Sequence, residues 1–180
     1  MSWTFRRTAV AVMAGAVLTG TLFLSGCAGA TTPVTPATPT PTTGVAAGGT
    51  LQRPLYSLVV PDGWTDLGSA ASTGQIDAYL VKDGLSSGVS FSVYVDTSGR
   101  SRDTLVQQAK AAMPGAGDAP ELTVGGRQLT GLQAEAEGLV LHQYYVRSGD
   151  RLIALNWSWP KDQDASADVR QILDSLHWKA

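Results

Sequence analysis

Cysteine occurs once in this chain of 180 residues, at Cys27, and histidine twice, at His142 and His177. A lone thiol leaves no internal disulfide to hold a fold. Two distant histidines, with no H-x-x-x-H pattern and no carboxylate-rich loop, supply no metal-ligand set. No GxGxxG or P-loop pattern occurs either, so no metal or nucleotide cofactor is expected. Charge is scarce as well: 16% of residues are charged, 13 basic against 15 acidic, and the lysines and arginines are scattered. Nucleic acid binding needs clustered basic side chains to neutralise phosphates, so that class of partner is excluded, and a polybasic membrane patch with it.

The apolar stretch Thr8 to Phe23 is too short and too broken by Gly and Thr for a stable membrane span, but what flanks it gives it another meaning. Arg6 and Arg7 precede it, and Leu24-Ser25-Gly26-Cys27 closes it. A positive start, an apolar middle and small residues ahead of a cleavage point make a secretory signal over residues 1–26. A free thiol directly after the small residues suits thioether attachment of diacylglycerol. The pattern resembles bacterial lipoprotein signals, which makes Cys27 the expected lipid-attachment residue and the extracytoplasmic face of the cell membrane the expected address. The alternative is an ordinary secreted protein cut near Gly29 or Ala30, with Cys27 discarded. Removing the signal takes away two basic residues and no acidic one, which leaves a formal charge of −4.

Residues 27–50 form a second region, the expected lipidated cysteine and a linker. From Ala28 to Thr50 there are eight threonines and four prolines, with no charge and no aromatic ring. Such a segment buries too little to fold and is expected to act as a tether, of a Thr/Pro composition that suits O-linked sugar. Residues 51–180 are long enough to bury a core alone and are expected to make one domain.

Within that domain Tyr56 to Val60 is a strand signal stopped by the turn Pro61-Asp62-Gly63. Ile76 to Lys82 and Val89 to Val95 are two more, joined by the loop Asp83 to Gly88. Leu105, Val106, Ala109, Ala112 and Met113 fall on one helical face, in a helix starting near Ser101 and ended by Pro114-Gly115. Glu121 to Val124 and Gln128 to Glu137 flank Gly125-Gly126 as a hairpin, and Leu139 to Arg147 and Arg151 to Trp159 make the strongest strand pair. A two-residue Gly149-Asp150 turn sets Val146 against Ile153, Tyr144 against Leu155 and His142 against Trp157; a three-residue loop would shift every pair by one and place His142 opposite Asn156. The two-residue turn is favoured. Val169, Ile172, Leu173 and Leu176 then recur at i, i+3, i+4 and i+7, in a helix starting near Asp162 or Asp164 that should cover the sheet.

The fold class expected is α+β, an antiparallel sheet of about six strands flanked by helices. Tyr56 to Trp64, reading Y-S-L-V-V-P-D-G-W, together with this order of elements, resembles the Mog1/PsbP-like superfamily, which includes actinobacterial lipoproteins of the LpqN type. The resemblance implies an α/β/α sandwich and an accessory or partner-binding role in the cell envelope. It hands over no catalytic residue.

Candidates for chemistry are few. Gly84-Leu85-Ser86-Ser87-Gly88 matches the G-x-S-x-G nucleophile elbow, but an elbow needs a strand before it and a helix after it, and here a strand follows. His142 lies mid-strand among apolar neighbours and reads as a core histidine; His177 trails the last helix and reads as a solvated or capping residue. Glu135 and Glu137 would share one strand face, read as a solvent-facing polar edge. Trp64, Trp157, Trp159 and Trp178 read first as core, with a sugar or lipid platform as their second reading. No catalytic, cofactor or metal site is expected. The expectation is a non-catalytic binding or accessory module, anchored by its lipid, with an envelope protein, lipid or glycan as partner. Two rivals remain: a small envelope hydrolase, which needs a serine within reach of His142, and a carrier of an apolar ligand, which needs a cleft beside Trp157 and Tyr144.

Overall fold

A computed structural model describes residues 45–68 and 75–179. The signal segment 1–26, Cys27 and the linker up to residue 44 lie outside the described residues. The described chain folds as α+β. Its strands are β1 (Thr50–Gln52), β2 (Tyr56–Val59), β3 (Trp64–Asp66), β4 (Ile76–Lys82), β5 (Ser90–Asp96), β6 (Gly117–Val124), β7 (Arg127–Ala136), β8 (Leu139–Ser148), β9 (Arg151–Pro160) and β10 (His177–Trp178). The helices are α1 (Arg102–Ala112) and α2 (Ser166–Asp174).

Seven strands make one antiparallel sheet in the order β3-β4-β5-β9-β8-β7-β6, and β1-β2-β10 make a separate antiparallel sheet of three. The first strand signal, Tyr56 to Val60, therefore belongs to the small sheet. The large sheet is built from local hairpins whose turns carry the residues such turns require. Gly125 and Gly126 both take positive φ, 53° and 76°, which joins β6 to β7 with Val124 opposite Arg127. Gly149 at φ 61° joins β8 to β9, and the register follows the two-residue turn: Val146 faces Ile153, Tyr144 faces Leu155 and His142 faces Trp157. Pairing starts earlier than residue 51. Val45 donates its N–H to Asp66 Oδ2 at 3.2 Å, Gly48 donates to Val60 O, and Val60 donates to Gly49 O.

Because side chains alternate across a strand, one face of the large sheet collects Leu80, Phe91, Val93, Ile153, Leu155, Trp157, Tyr144 and Val146, all buried. Onto this face pack α2, through Val169, Ile172 and Leu173, and the small sheet, through Leu51, Tyr56 and Leu58. Leu176 just past α2 is also buried. Lys82 Nζ meets Asp168 Oδ2 at 2.5 Å, and Ser175 Oγ accepts the Val59 N–H at 3.0 Å, so both ends of α2 are fixed to strands. Asp164 Oδ1 accepts the Ser166 N–H at its start.

The opposite face carries α1. Ser101 caps it by accepting the Thr104 N–H, and Leu105 is its one buried residue. Leu105 packs with Tyr145, Leu152 and Ala154 in a cluster separate from the main core.

A candidate aromatic binding cleft

Strands β8 and β9 both place aromatic side chains on the α2 face, and their register lines the rings up. Tyr144 and Trp157 stack with centroids 5.0 Å apart and planes 9° apart; His142 stacks on Trp157 at 5.4 Å and leans on Trp159 at 5.2 Å. Phe91 continues the row from β5, 6.2 Å from Trp157. Phe91, Trp157 and Tyr144 are buried, whereas His142 and Trp159 are half-buried, so the row opens toward solvent at the His142 end.

Above that end lies a cleft of about 260 Å³, walled by Trp157, Trp159, Tyr144 and His142, roofed by Val169 and Leu173 of α2, with Glu121 and Arg170 at its rim. Beyond His142 the surface continues into a second hollow bordered by Gly115, Gly117, Gln133 and Glu135. A glycine shapes the wall. A Cβ at Gly131 would meet the carbonyl of Gln143 and, at 2.8 Å, the Tyr144 ring, so this position on β7 is what lets the ring lie down across the strand. Tyr144 Oη then reaches over to donate to the Pro120 carbonyl at 2.8 Å, which closes the cleft on the β6 side.

The polar content is small. His142 Nδ1 is buried with no hydrogen-bond partner, and burial pushes the imidazole below its ordinary pKa, so the ring is neutral at pH 7. Burial likewise raises the Tyr144 hydroxyl above its usual value. An apolar, stacked wall of this kind offers ring and hydrocarbon contact.

The other singled-out residues are dispersed. Ser86 is exposed in a 3-10 turn, Leu85–Ser87, between two antiparallel strands. Its neighbour Ser87 spends its hydroxyl on the same turn, donating to Lys82 O and accepting from Val89 N. With Nδ1 of His142 unpartnered, no serine is set on that atom. His177 is exposed on β10 and pairs with Ser57 through the backbone, a strand residue rather than a helix cap. Glu135 and Glu137 do not share a face. Glu135 on β7 pairs with Lys161, while Glu137 sits at φ 52° in the Glu137-Gly138 turn, because the strand ends at Ala136. Trp64 is core, and Trp178 donates from Nε1 to Val124 O with Arg127 over its ring at 5.3 Å. Among the described residues, no cluster of three or more His, Cys, Asp or Glu is placed to hold a metal, and no helix is long and apolar enough to cross a membrane. Sequence reading missed the roof of the cleft, since Val169 and Leu173 look like ordinary core positions until α2 is placed over β8.

No protein-family profile matches this chain, and no curated protein sequence matches it. Solved structures similar to it include LpqN of Mycobacterium tuberculosis, a protein involved in cell envelope biogenesis, at 16% identity and a TM-score of 0.49, covering 69% of this chain and 83% of that one. The cyanobacterial PsbP of Synechocystis sp. PCC 6803 is similar at 13% identity and a TM-score of 0.46, covering 69% of this chain and 86% of that one. A protein of Bacteroides thetaiotaomicron is similar at 13% identity and a TM-score of 0.46, and this chain spans 45% of its length. These are likenesses of chain path, and no site residue is carried across from them.

Proposed function

We propose that this protein is a membrane-anchored, extracytoplasmic binding module that performs no chemistry of its own. Cys27 carries the diacylglycerol, the Thr/Pro segment spaces the domain from the bilayer, and the aromatic cleft receives a flat or hydrocarbon group of an envelope component. The observation that carries the reading is the open wall of Trp159, His142, Trp157 and Tyr144. Two half-buried rings, His142 and Trp159, stacked against the buried Trp157 and Tyr144 suit the capture of an apolar group. The same cleft favours a carrier over a hydrolase, because the one serine in an elbow-like sequence lies in an exposed turn between antiparallel strands. Binding of N-phenyl-1-naphthylamine, followed by its fluorescence, tests the cleft directly. Trp159→Ala should weaken uptake about tenfold while leaving the fold intact, since Trp159 is only half-buried. Equal uptake by both proteins removes the cleft from the reading. Detergent-phase partitioning tests the anchor: Cys27→Ser should move the protein to the aqueous phase, because stable anchoring needs the acyl chains.

A further inference from the structure

A second recess lies on the other side of the large sheet, between α1 and strands β8, β9 and β5. It exists because the side chains that face each other there are short. Ala109, the exposed Ala112 and Ala154 all border it, and none of them is long enough to fill the gap between helix and sheet. The result is a hollow of about 340 Å³ that runs into a further one of about 240 Å³ toward Ser90 and Ser158; the two share Met113, Gln143 and Asn156. Together they fall within the range of small-molecule sites, roughly 300–1,000 Å³.

The chemistry of this trough differs from that of the aromatic cleft. Its middle is neutral and polar. Gln143 and Asn156 are cross-strand neighbours, with Ser92 beside Asn156 and a Ser90–Ser158 hydroxyl pair at 3.0 Å further along. Asn156 Nδ2 lies 3.5 Å from Ser92 Oγ, at the limit of a hydrogen bond, so these groups hold one another only weakly. Its other end is apolar, formed by Leu105, Ala109, Ala112 and Ala154. The one cation at its edge, Arg100, is occupied. It donates to Asp96, Ser98, Gln108 and Tyr94, which leaves little to attract an anion. Tyr145 also lines the trough. It is 3% exposed, and its hydroxyl is buried with no partner. Burial pushes that hydroxyl up to about 12, so it remains an O–H donor at neutral pH. An unpaired buried hydroxyl is a standing cost that a ligand acceptor would remove.

We propose that this trough binds a neutral N-acetylated saccharide. A side-chain amide offers a donor and an acceptor side by side, which matches an acetamido group edge to edge, and Gln143 and Asn156 place two such amides on adjacent strands. The acetyl methyl fits the alanine-lined end. The ring hydroxyls, each both donor and acceptor, meet Ser90, Ser92 and Ser158. Such a ligand needs no counter-charge, in keeping with a floor that has none.

Titration calorimetry with chitotriose tests this on the folded protein, with cellotriose and an acetylated tri-alanine amide as the two comparison probes. Chitotriose should bind, and cellotriose, which lacks the acetamido groups, at least tenfold more weakly. Tyr145→Phe should lower chitotriose affinity roughly 3- to 10-fold, the worth of one hydrogen bond, without lowering the melting temperature. Asn156→Leu should lower it further, with circular dichroism confirming the fold, and Trp159→Ala in the opposite cleft should not change it. No chitotriose binding, or binding insensitive to both Tyr145→Phe and Asn156→Leu, overturns the proposal. So does cellotriose binding as well as chitotriose, and tighter binding of the peptide amide would assign the trough to extended polypeptide instead.

Discussion

The two faces of the large sheet are packed to very different depths. Among the described residues, one continuous cluster of 22 buried residues runs from Leu51 to Leu176 under α2 and the small sheet; under α1, the buried cluster numbers four. The two helices differ little in length, eleven residues against nine, so length does not explain the contrast. Side-chain size does. α2 turns Val169, Ile172 and Leu173 to the sheet, all buried, whereas α1 buries only Leu105, with Val106 partly buried against the same cluster and the small Ala109 and Ala112 beside it. Branched side chains close a helix–sheet gap, and alanines leave it open. The α2 face holds the domain together, and its cleft is an interruption at the edge of a full core. The α1 face is underfilled along its length.

The strongest way to break this contrast is to shorten one anchor on each side. Ile172→Ala removes a fully buried side chain from the larger cluster and should cost about 4 kcal/mol, near the upper part of the range for such cavities, read as a fall in the urea midpoint. Leu105→Ala should cost about 2 kcal/mol, because its neighbours are few and α1 can settle. Its more telling sign is local. Amides of α1 should lose hydrogen-exchange protection while those of β8 and β9 keep theirs. Equal costs, or uniform loss of protection, would show the two faces to be equally coupled.

Gly131→Ala sharpens the picture of the α2 face. The new methyl meets Tyr144 and the Gln143 carbonyl, so Tyr144 must tilt and give up its bond to Pro120; a loss of about 2 kcal/mol is expected, with altered near-ultraviolet circular dichroism from the stacked rings. An unchanged aromatic signal would mean the ring does not depend on the missing Cβ.

The smallest effects expected are in pH dependence, and they fall in different pH windows on the two faces. His142 is held below its ordinary value by burial, so the unfolded chain takes up the proton first. Stability is therefore full above about pH 6.5 and declines as pH falls toward the folded value; His142→Leu should flatten that decline. Asp96, beside α1, is pushed up by burial, but hydrogen bonds from Arg100 and Ser98 outweigh this and hold it below the usual carboxylate range. Its contribution is present above about pH 4 and lost below that, so Arg100→Leu should weaken acid resistance without touching the decline near pH 6.5. Urea titrations at stepped pH separate the two windows.

Much of this architecture could be read from residue order. The alternation of Tyr144 and Val146 against Ile153, Leu155 and Trp157, with Gly149-Asp150 between them, specifies both register and inward face, since a one-residue slip would expose every one of these side chains. The cap at Ser101 and the spacing of Val169, Ile172 and Leu173 are local signals of the same kind. What escaped was non-local or short. β1, β3 and β10 have two or three residues each, too few for any periodicity, and β10 exists only because β2, about 120 residues earlier, supplies its hydrogen bonds. Glu137 was misplaced for a related reason: nothing in Glu-Ala-Glu-Gly marks which glutamate leaves the strand. The aromatic cleft was half legible, as Trp157 and Tyr144 were expected to border any opening there, but its roof belongs to a helix that only tertiary packing places.

The small sheet has a consequence in time. β2 pairs on one side with β1, a few residues earlier, and on the other with β10, where Ser57 lies opposite His177 and Tyr56 opposite Trp178. While the chain is synthesised from its N-terminus, the hairpins of the large sheet can close one after another as they emerge. β2 stays half-paired through all of this, and Val124 waits for the Trp178 indole. Contacts so far apart in the chain come late, since the loop between them must be ordered first. Until Trp178 is delivered, an apolar strand edge stays open on the newly made chain, a short interval in which a folding helper would find a place to hold.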